Sequence, residues 1–397
     1  MKIRVGVFFG GKSVEHEVSV ISALQACRSL NTEKYEIIPI YITKNTEFYI
    51  GENIGKIESY RNIPALLKES ERVLPVGNNG TVELLHYPMK KFGNNIAAVI
   101  DVALPVVHGT NVEDGALQGY LQTLGVPYAG CDVLSSAVGM DKYVMKCVFA
   151  DSGIPVLPAT LVDVKRFTKE HDAVIELIES KTQYPVIVKP VNLGSSVGIR
   201  KAKDRAGLED ALDYAFTFAI KVLVENAVTE LKEINCSVVG DYESAEASEC
   251  EEPVANDEIL SYQDKYVGGT KSSGKSGMAS LKRKIPADIT PEQREEVRTL
   301  AVKAFRALGC GGVARIDFML DKATGKIYLN EINTIPGSLS FYLWEPVGVK
   351  YGELLDRIIN LAFKRERENK SISFSFDTNI LETATFGGSK GAKGAKM

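Results

Sequence analysis

Along the first third of the chain, short apolar runs alternate with stretches whose apolar residues recur every third or fourth position, the pattern of strands interleaved with helices. Residues 3–9 (IRVGVFF) form the first run and end at Gly10-Gly11, a strand followed by a turn. Val20, Ile21, Leu24 and Cys27 then fall at helical spacing, which predicts a helix over 19–30. Residues 35–42 (YEIIPIYI) and 96–107 (IAAVIDVALPVV) read as further buried strands, the second delivering His108 at its end. This alternation predicts a parallel sheet covered by helices, with side chains at the carboxyl ends of its strands facing a ligand crevice.

A second unit begins near Met140, where Asp141-Lys142 opens a helix ahead of the strand 185–189 (PVIVK) and the short strand 222–225 (VLVE). From Lys232 a third unit follows: a strand over 234–239, a polar loop over 261–280 and a helix over 291–308. Thr290 is placed to cap that helix, Pro291 suits its first turn, and Glu292, Glu295 and Glu296 complement its dipole. The expected division is 1–138, 139–230 and 231–368, with a tail over 369–397 whose glycine- and lysine-rich end (387–396) is predicted to be disordered. No internal repeat is visible.

Composition narrows the partners. A chain of 397 residues, 45% hydrophobic and 25% charged, is expected to be a soluble enzyme of two or three domains. A net charge of -4 offers no basic field for a nucleic acid backbone, so small molecules are the expected partners. No apolar run approaches the ~18 uncharged residues that a membrane span needs. Six cysteines without a CxxC pair read as reduced thiols of a cytoplasmic protein.

Four segments carry candidate chemistry. Arg315-Ile-Asp317-Phe-Met-Leu320, a polar turn, and Tyr328-Leu-Asn330-Glu331-Ile-Asn333-Thr-Ile-Pro-Gly337 read as a hairpin. Asp317, Glu331 and Asn333 supply only oxygen ligands, and Glu331 and Asn333, two apart on a strand, share a face. Magnesium beside ATP wants such a set, keeping waters and phosphate oxygens in its remaining positions. Second, the strand ending in Lys189 runs into Asn192-Leu-Gly194-Ser195-Ser196-Val-Gly198, a loop that lets N–H groups and hydroxyls approach phosphates, although it is not a Walker loop. Lys142 is either a second phosphate cation or a lysine at a helix start. Third, Gly10-Gly-Lys-Ser-Val-Glu15-His-Glu17 places two acids where a pyrophosphate would be repelled, so an ammonium facing Glu15 fits better, with Glu17 suited to a helix N-terminus. Fourth, His108-Gly-Thr-Asn-Val112-Glu113-Asp-Gly-Ala-Leu-Gln-Gly119 marks a loop approached closely by something else.

In this order, from about Lys2 to Phe363, the four segments resemble the D-alanine-D-alanine ligases of the ATP-grasp superfamily. The resemblance implies an α/β and α+β fold: an N-terminal parallel-sheet, Rossmann-like domain ahead of a two-part ATP-grasp fold. It implies ATP-dependent joining of two D-alanines through an acyl phosphate, for peptidoglycan and the cell wall, by a cytoplasmic homodimer using two magnesium ions, or manganese. By the same resemblance Glu15 holds the first D-alanine's ammonium and His108 lines that subsite. Lys142, Lys189 and Ser196 meet ATP phosphates; Glu225, Asn226 and Val228 read adenine at a hinge; Glu233 meets the ribose, and Asn330 lies beside the nucleotide. Asp317, Glu331 and Asn333 are the implied metal ligands, with Arg315 and the Gly337 N–H stabilising the reacting carboxyl. Lys265-Tyr266 resembles a lid pair whose tyrosine links to Ser195 and Glu15, and it goes with an amine acceptor.

Two positions depart from the family pattern. Val112 stands where a glycine is usual, and in Ser338-Leu339-Ser340-Phe341-Tyr342 the tyrosine takes the place of a serine that grips the second substrate's carboxylate. Ser340 and Tyr342 are therefore the candidates for that role. The departure keeps open an ATP-grasp ligase with another D-amino or D-hydroxy acid as acceptor. A non-catalytic nucleotide-binding relative is the further alternative, while a dinucleotide oxidoreductase lacks its glycine fingerprint.

Overall fold

A computed structural model of the chain describes residues 2–254 and 283–373. The first apolar run forms β1 (Ile3–Gly10), flanked in parallel by β2 (Tyr35–Ile42) and, on its other side, by the strand Val102–Pro105. The sheet then extends through β3 (Phe48–Ile50), β4 (Glu71–Asn78), β5 (Thr81–His86) and β6 (Ile96–Ile100), each pairing antiparallel; Val102–Pro105 is β7, and the order is β6-β5-β4-β3-β2-β1-β7. The antiparallel extension comes from short links: β4 and β5 are joined by Asn79-Gly80 alone, at φ 48° and 85°, a pair of left-handed residues suited to a tight hairpin.

The apolar run over 96–107 is thus two strands, not one. Asp101 breaks it, accepting from the Arg4 backbone N–H at 2.8 Å and from the Arg4 guanidinium at 2.5 and 3.0 Å. The helix expected over 19–30 runs from His16 to Ser29, starting earlier because His16, Val18 and Ser19 are buried as well.

A second sheet contains β8 (Ala159–Asp163), β9 (Val186–Pro190), β10 (Arg200–Ala202) and β11 (Lys221–Asn226), in the order β10-β9-β11-β8 and wholly antiparallel. Helices His171–Lys181 and Arg205–Phe216 cover it, with Ile175, Ile178, Leu208 and Leu212 packed among Val188, Val222 and Val224. A third antiparallel sheet contains β12 (Leu231–Gly240), β13 (Ala245–Pro253), β14 (Arg283–Lys284), β15 (Gly312–Asp321) and β16 (Ile327–Asn333), ordered β14-β13-β12-β15-β16. Helix Pro291–Ala307 lies on it, and Thr290 and Gln293 form the capping box that fixes its start.

The last described helix, Tyr351–Lys370, returns to the first sheet: Leu354, Leu355, Ile358 and Ile359 share a core with Val5, Val7 and Leu104. This return ties the amino-terminal strands to the β15–β16 hairpin and holds their facing edges around one cleft. Among the described residues no helix is long and apolar enough to cross a membrane.

Candidate functional site

The cleft, of about 580 Å³, is lined by strands of the second and third sheets and by the segments that follow β1 and β7. Its floor is the β15–β16 hairpin, where Asp317 stands opposite Glu331 and Arg315 opposite Asn333, with a register shift just after Asp317. Arg315 holds Asp317 through Nε and Nη2, each at 2.6 Å, and the Asn333 amide donates to Asp317 Oδ2 at 3.0 Å. Burial alone would depress the Arg315 guanidinium, yet the Asp317 charge and hydrogen bonds leave its pKa raised well above the ordinary value. Lys142 Nζ meets Glu331 at 3.0 Å. Each acid is thus neutralised by a flexible cation, a pairing that can be exchanged.

The oxygen row continues past the hairpin. Asn235 in β12 stands opposite both Asp317 and Glu251 of β13, so Glu331, Asp317, Asn235 and Glu251 cross four strands in line, all facing the cleft. Among the described residues no three His, Cys, Asp or Glu side chains gather to cage a metal. Two carboxylates and an amide instead make a partial set of hard oxygen donors, which fits magnesium shared with phosphates and water.

Opposite the hairpin, β9 delivers Lys189, whose Nζ donates to Glu225 Oε1 at 2.5 Å and to Asn330 Oδ1 at 3.1 Å. Lys146 meets the other Glu225 oxygen at 2.9 Å, completing a buried lysine–glutamate–lysine cluster. Burial pushes the Glu225 carboxyl up, but the two lysines outweigh it and hold it below its usual value; Lys146, largely through burial, is lowered. Sequence reading missed Lys146; its position four residues after Lys142, one helical turn along the same face, is the signal that was available. Asp141 caps that helix by accepting from the Tyr143 and Val144 N–H groups, and Lys142 Nζ also donates to the Leu193 carbonyl at 2.8 Å. In the loop that follows Lys189, Ser195 and Ser196 adopt left-handed φ of 54° and 61°, and the Ser195 hydroxyl donates to Glu15 Oε1.

The two acids after Gly10-Gly11 part company. Glu15 is buried in the cleft wall, whereas Glu17 is exposed and paired with Lys44 at 2.7 Å. Gly109 approaches Glu15 so closely that a Cβ there would lie 2.8 Å from Glu15 Oε2. Both peptide groups of Ile335 are held from this side. His108 Nδ1 donates to the Ile335 carbonyl at 2.8 Å, a partner that only accepts and so fixes the proton on Nδ1. Nε2 then accepts from Ser22 Oγ at 3.1 Å, and Ser22 Oγ accepts from the Ser338 N–H at 3.0 Å. Glu113, which the sequence placed in the closely approached loop without assigning it a role, accepts from the N–H of Ile335 at 2.8 Å and of Gly109 at 2.9 Å. Burial, followed by the nearby Glu15 charge, pushes the Glu113 carboxyl up to about 8, and burial lowers the His108 imidazole.

After Gly337 the backbone enters a left-handed turn: Ser338, Leu339 and Ser340 have φ of 50°, 51° and 53°. Ser340 Oγ is buried without a hydrogen-bond partner among the described residues, the buried Tyr342 hydroxyl faces the Glu251 carboxyl, and the Arg283 guanidinium lies 4.0 Å from the Tyr342 ring centre. Burial and the Glu251 charge push the Tyr342 phenol up to about 12. Tyr342 and Gly337 line the cleft; Ser340 does not. Asn226, Val228 and Glu233 lie along the cleft with Glu225, and Ser196 and Asn330 also line it. Lys265 and Tyr266 fall outside the described residues.

A Rossmann-like sheet, a lysine-bearing sheet with a serine-rich loop, and a hairpin of oxygen ligands, all opening on one cleft, define an ATP-grasp ligase. Residues 4–131 match the family described as D-ala D-ala ligase N-terminus, and residues 148–360 match D-ala D-ala ligase C-terminus. The chain belongs to the D-alanine–D-alanine ligase family. The D-alanine–D-alanine ligase of Thermoanaerobacter sp. (strain X514) is 42% identical over 381 residues, 92% of this chain and 98% of that one. The structure of the Coxiella burnetii D-alanine-D-alanine ligase aligns with a TM-score of 0.76 at 27% identity, covering 93% of this chain and 96% of that one. The VanG D-Ala:D-Ser ligase from Enterococcus faecalis aligns with a TM-score of 0.75 at 31% identity, covering 91% and 100%.

Proposed function

We propose that the chain joins two D-alanines into D-alanyl-D-alanine for peptidoglycan synthesis, converting ATP to ADP and phosphate, in the cytoplasm where ATP is supplied. A carboxylate oxygen of the first D-alanine attacks the γ-phosphorus and ADP leaves, giving an acyl phosphate. The neutral amine of the second D-alanine attacks the acyl carbon, phosphate departs with the carboxylate oxygen, and the new amide sheds a proton.

Glu15, oriented by Ser195, holds the first substrate's ammonium, and His108 lines that subsite. Lys142, Lys189 and the Ser195-Ser196 loop meet the phosphates, exchanging their present carboxylate and carbonyl partners for phosphate oxygens. The adenine and ribose lie along residues 225–233. Arg315 and the Gly337 N–H face the oxyanion formed when the amine attacks, the step at which oriented donors matter most. Asp317, Glu331 and Asn333 hold magnesium, which when bound supplies positive charge to the phosphate oxygens.

The observation that carries this reading is the meeting of the Asp317–Glu331 pair, Lys142 and Lys189 in the cleft that Glu15 and Ser195 close from the far side. Purified protein with ATP, magnesium and D-alanine is expected to release phosphate in equal amount to dipeptide, and to release none with L-alanine. ATP hydrolysis independent of any amino acid would contradict it.

A further inference from the structure

The loop from Gly109 to Glu113 grips both ends of the first-substrate site. On one side it holds the turn that carries Glu15. Asn111 Nδ2 donates to the Lys12 carbonyl at 3.0 Å, and Val112 packs so tightly on Gly11 that a Cβ there would lie 2.5 Å from Val112 Cγ1. On the other side Glu113 Oε1 accepts from the Ile335 N–H at 2.8 Å, two residues before Gly337. Glu113 also closes the loop on itself: Oε2 accepts from the Gly109 N–H, and the Glu113 N–H donates to the Gly109 carbonyl, both at 2.9 Å. Val112 and Glu113 are buried, so this short brace is held by packing and by hydrogen bonds that water does not loosen. A displacement at one end of it is therefore passed to the other.

We infer that this loop, keyed by Glu113 and Val112, is a gauge that fixes the separation between Glu15 and the Gly337 N–H, and so selects a first substrate whose ammonium sits on the carbon next to its carboxylate. The inference rests on the ligase reading above, in which Glu15 holds the ammonium and the Gly337 N–H faces the carboxyl. Both Glu113 oxygens are engaged by peptide N–H groups, and Val112 bears on Gly11, not on the cleft. The two act through Glu15 and Ile335 as positioning residues that separate α- from β-amino acids.

The test offers the whole protein equal concentrations of D-alanine and β-alanine with magnesium-ATP and separates the dipeptides by chromatography against authentic standards. β-Alanine carries the same two charged groups with one more methylene between them. The wild type is expected to place D-alanine first in preference to β-alanine by about a hundredfold, the weight of one methylene in a fitted site. Glu113→Ala and Val112→Ala are each expected to cut that preference about tenfold, by slowing D-alanyl-D-alanine formation more than β-alanyl-D-alanine formation. The KM for ATP, whose phosphates meet other residues, is expected not to move. Glu113→Gln keeps the side-chain size and one acceptor oxygen, so it restores part of the preference lost in Glu113→Ala. Thermal melting shows which variants are folded, and Glu113→Gln against the wild type carries the test if the alanine variants are not. A wild type that uses both first substrates alike, or folded variants that slow both alike, overturns the inference alone. No dipeptide of either kind from the wild type overturns the ligase reading and this inference with it.

Discussion

Arg315 reaches two residues along its own strand to hold Asp317 through two hydrogen bonds of 2.6 Å. The same Asp317 oxygens are those a divalent cation would use, so metal binding and release of the Arg315 side chain are one event. Freed from Asp317, the guanidinium becomes available to a carboxyl or phosphate in the cleft. Phosphate release is therefore expected to stop when magnesium is chelated and to return when it is restored. Asp317→Asn and Glu331→Gln are each expected to lower turnover by a factor on the order of 10² or more. Glu17→Gln, altering an exposed ion pair, is expected to stay within about twofold. Comparable losses in all three variants would contradict the metal assignment.

Glu113 sets a pH dependence. Its carboxyl titrates at about 8 in the folded chain against an ordinary 4.5, so between those values the folded state holds a proton that the unfolded chain has released. Stability from this group is complete below the unfolded value and is lost as pH rises through the folded one. Chemical denaturation between pH 5 and 8.5 is expected to show the wild type losing more stability than Glu113→Gln, which cannot ionise. Parallel curves would contradict the assignment. The two histidines lowered by burial, His16 and His108, are common to both proteins and cancel in the comparison.

Segments whose chemistry is local were legible in the sequence. Thr290-Pro291 announced its helix because a cap and a first-turn proline act on their own residues, and the Arg315–Asn333 hairpin followed from alternation about a polar turn. What escaped depended on partners distant in sequence. Asp101 looked like one polar residue in an apolar run until Arg4, 97 residues away, met it. Glu113 is legible only as an acid in a closely approached loop, because its partner, the Ile335 N–H, lies 222 residues on. Glu251 enters the cleft only because β13 pairs with β12 and β12 with β15, a strand order that spacing along the chain does not reveal.

Glu225 is shared by two buried lysines, Lys189 at 2.5 Å and Lys146 at 2.9 Å. Glu225→Gln removes the charge that both depend on and is expected to destabilise the fold by about 3 kcal/mol, the cost of leaving buried charges unpaired. Denaturant unfolding measures it; a loss below about 1 kcal/mol would mean the lysines find other partners.

Ser340 is fully buried, left-handed in φ, and its hydroxyl has no partner among the described residues. Ser340→Ala discards that hydroxyl and keeps the backbone, so a gain of about 1 kcal/mol in unfolding free energy is expected. A loss of similar size would show that the hydroxyl is satisfied.

The central claim is that the first substrate's carboxylate becomes an acyl phosphate in this cleft. D-alanine labelled with oxygen-18 in both carboxylate positions tests it most directly, because the oxygen that attacks phosphorus stays with phosphate when the amine displaces it. One labelled oxygen in each released phosphate is the expected result, and phosphate free of label would contradict the account.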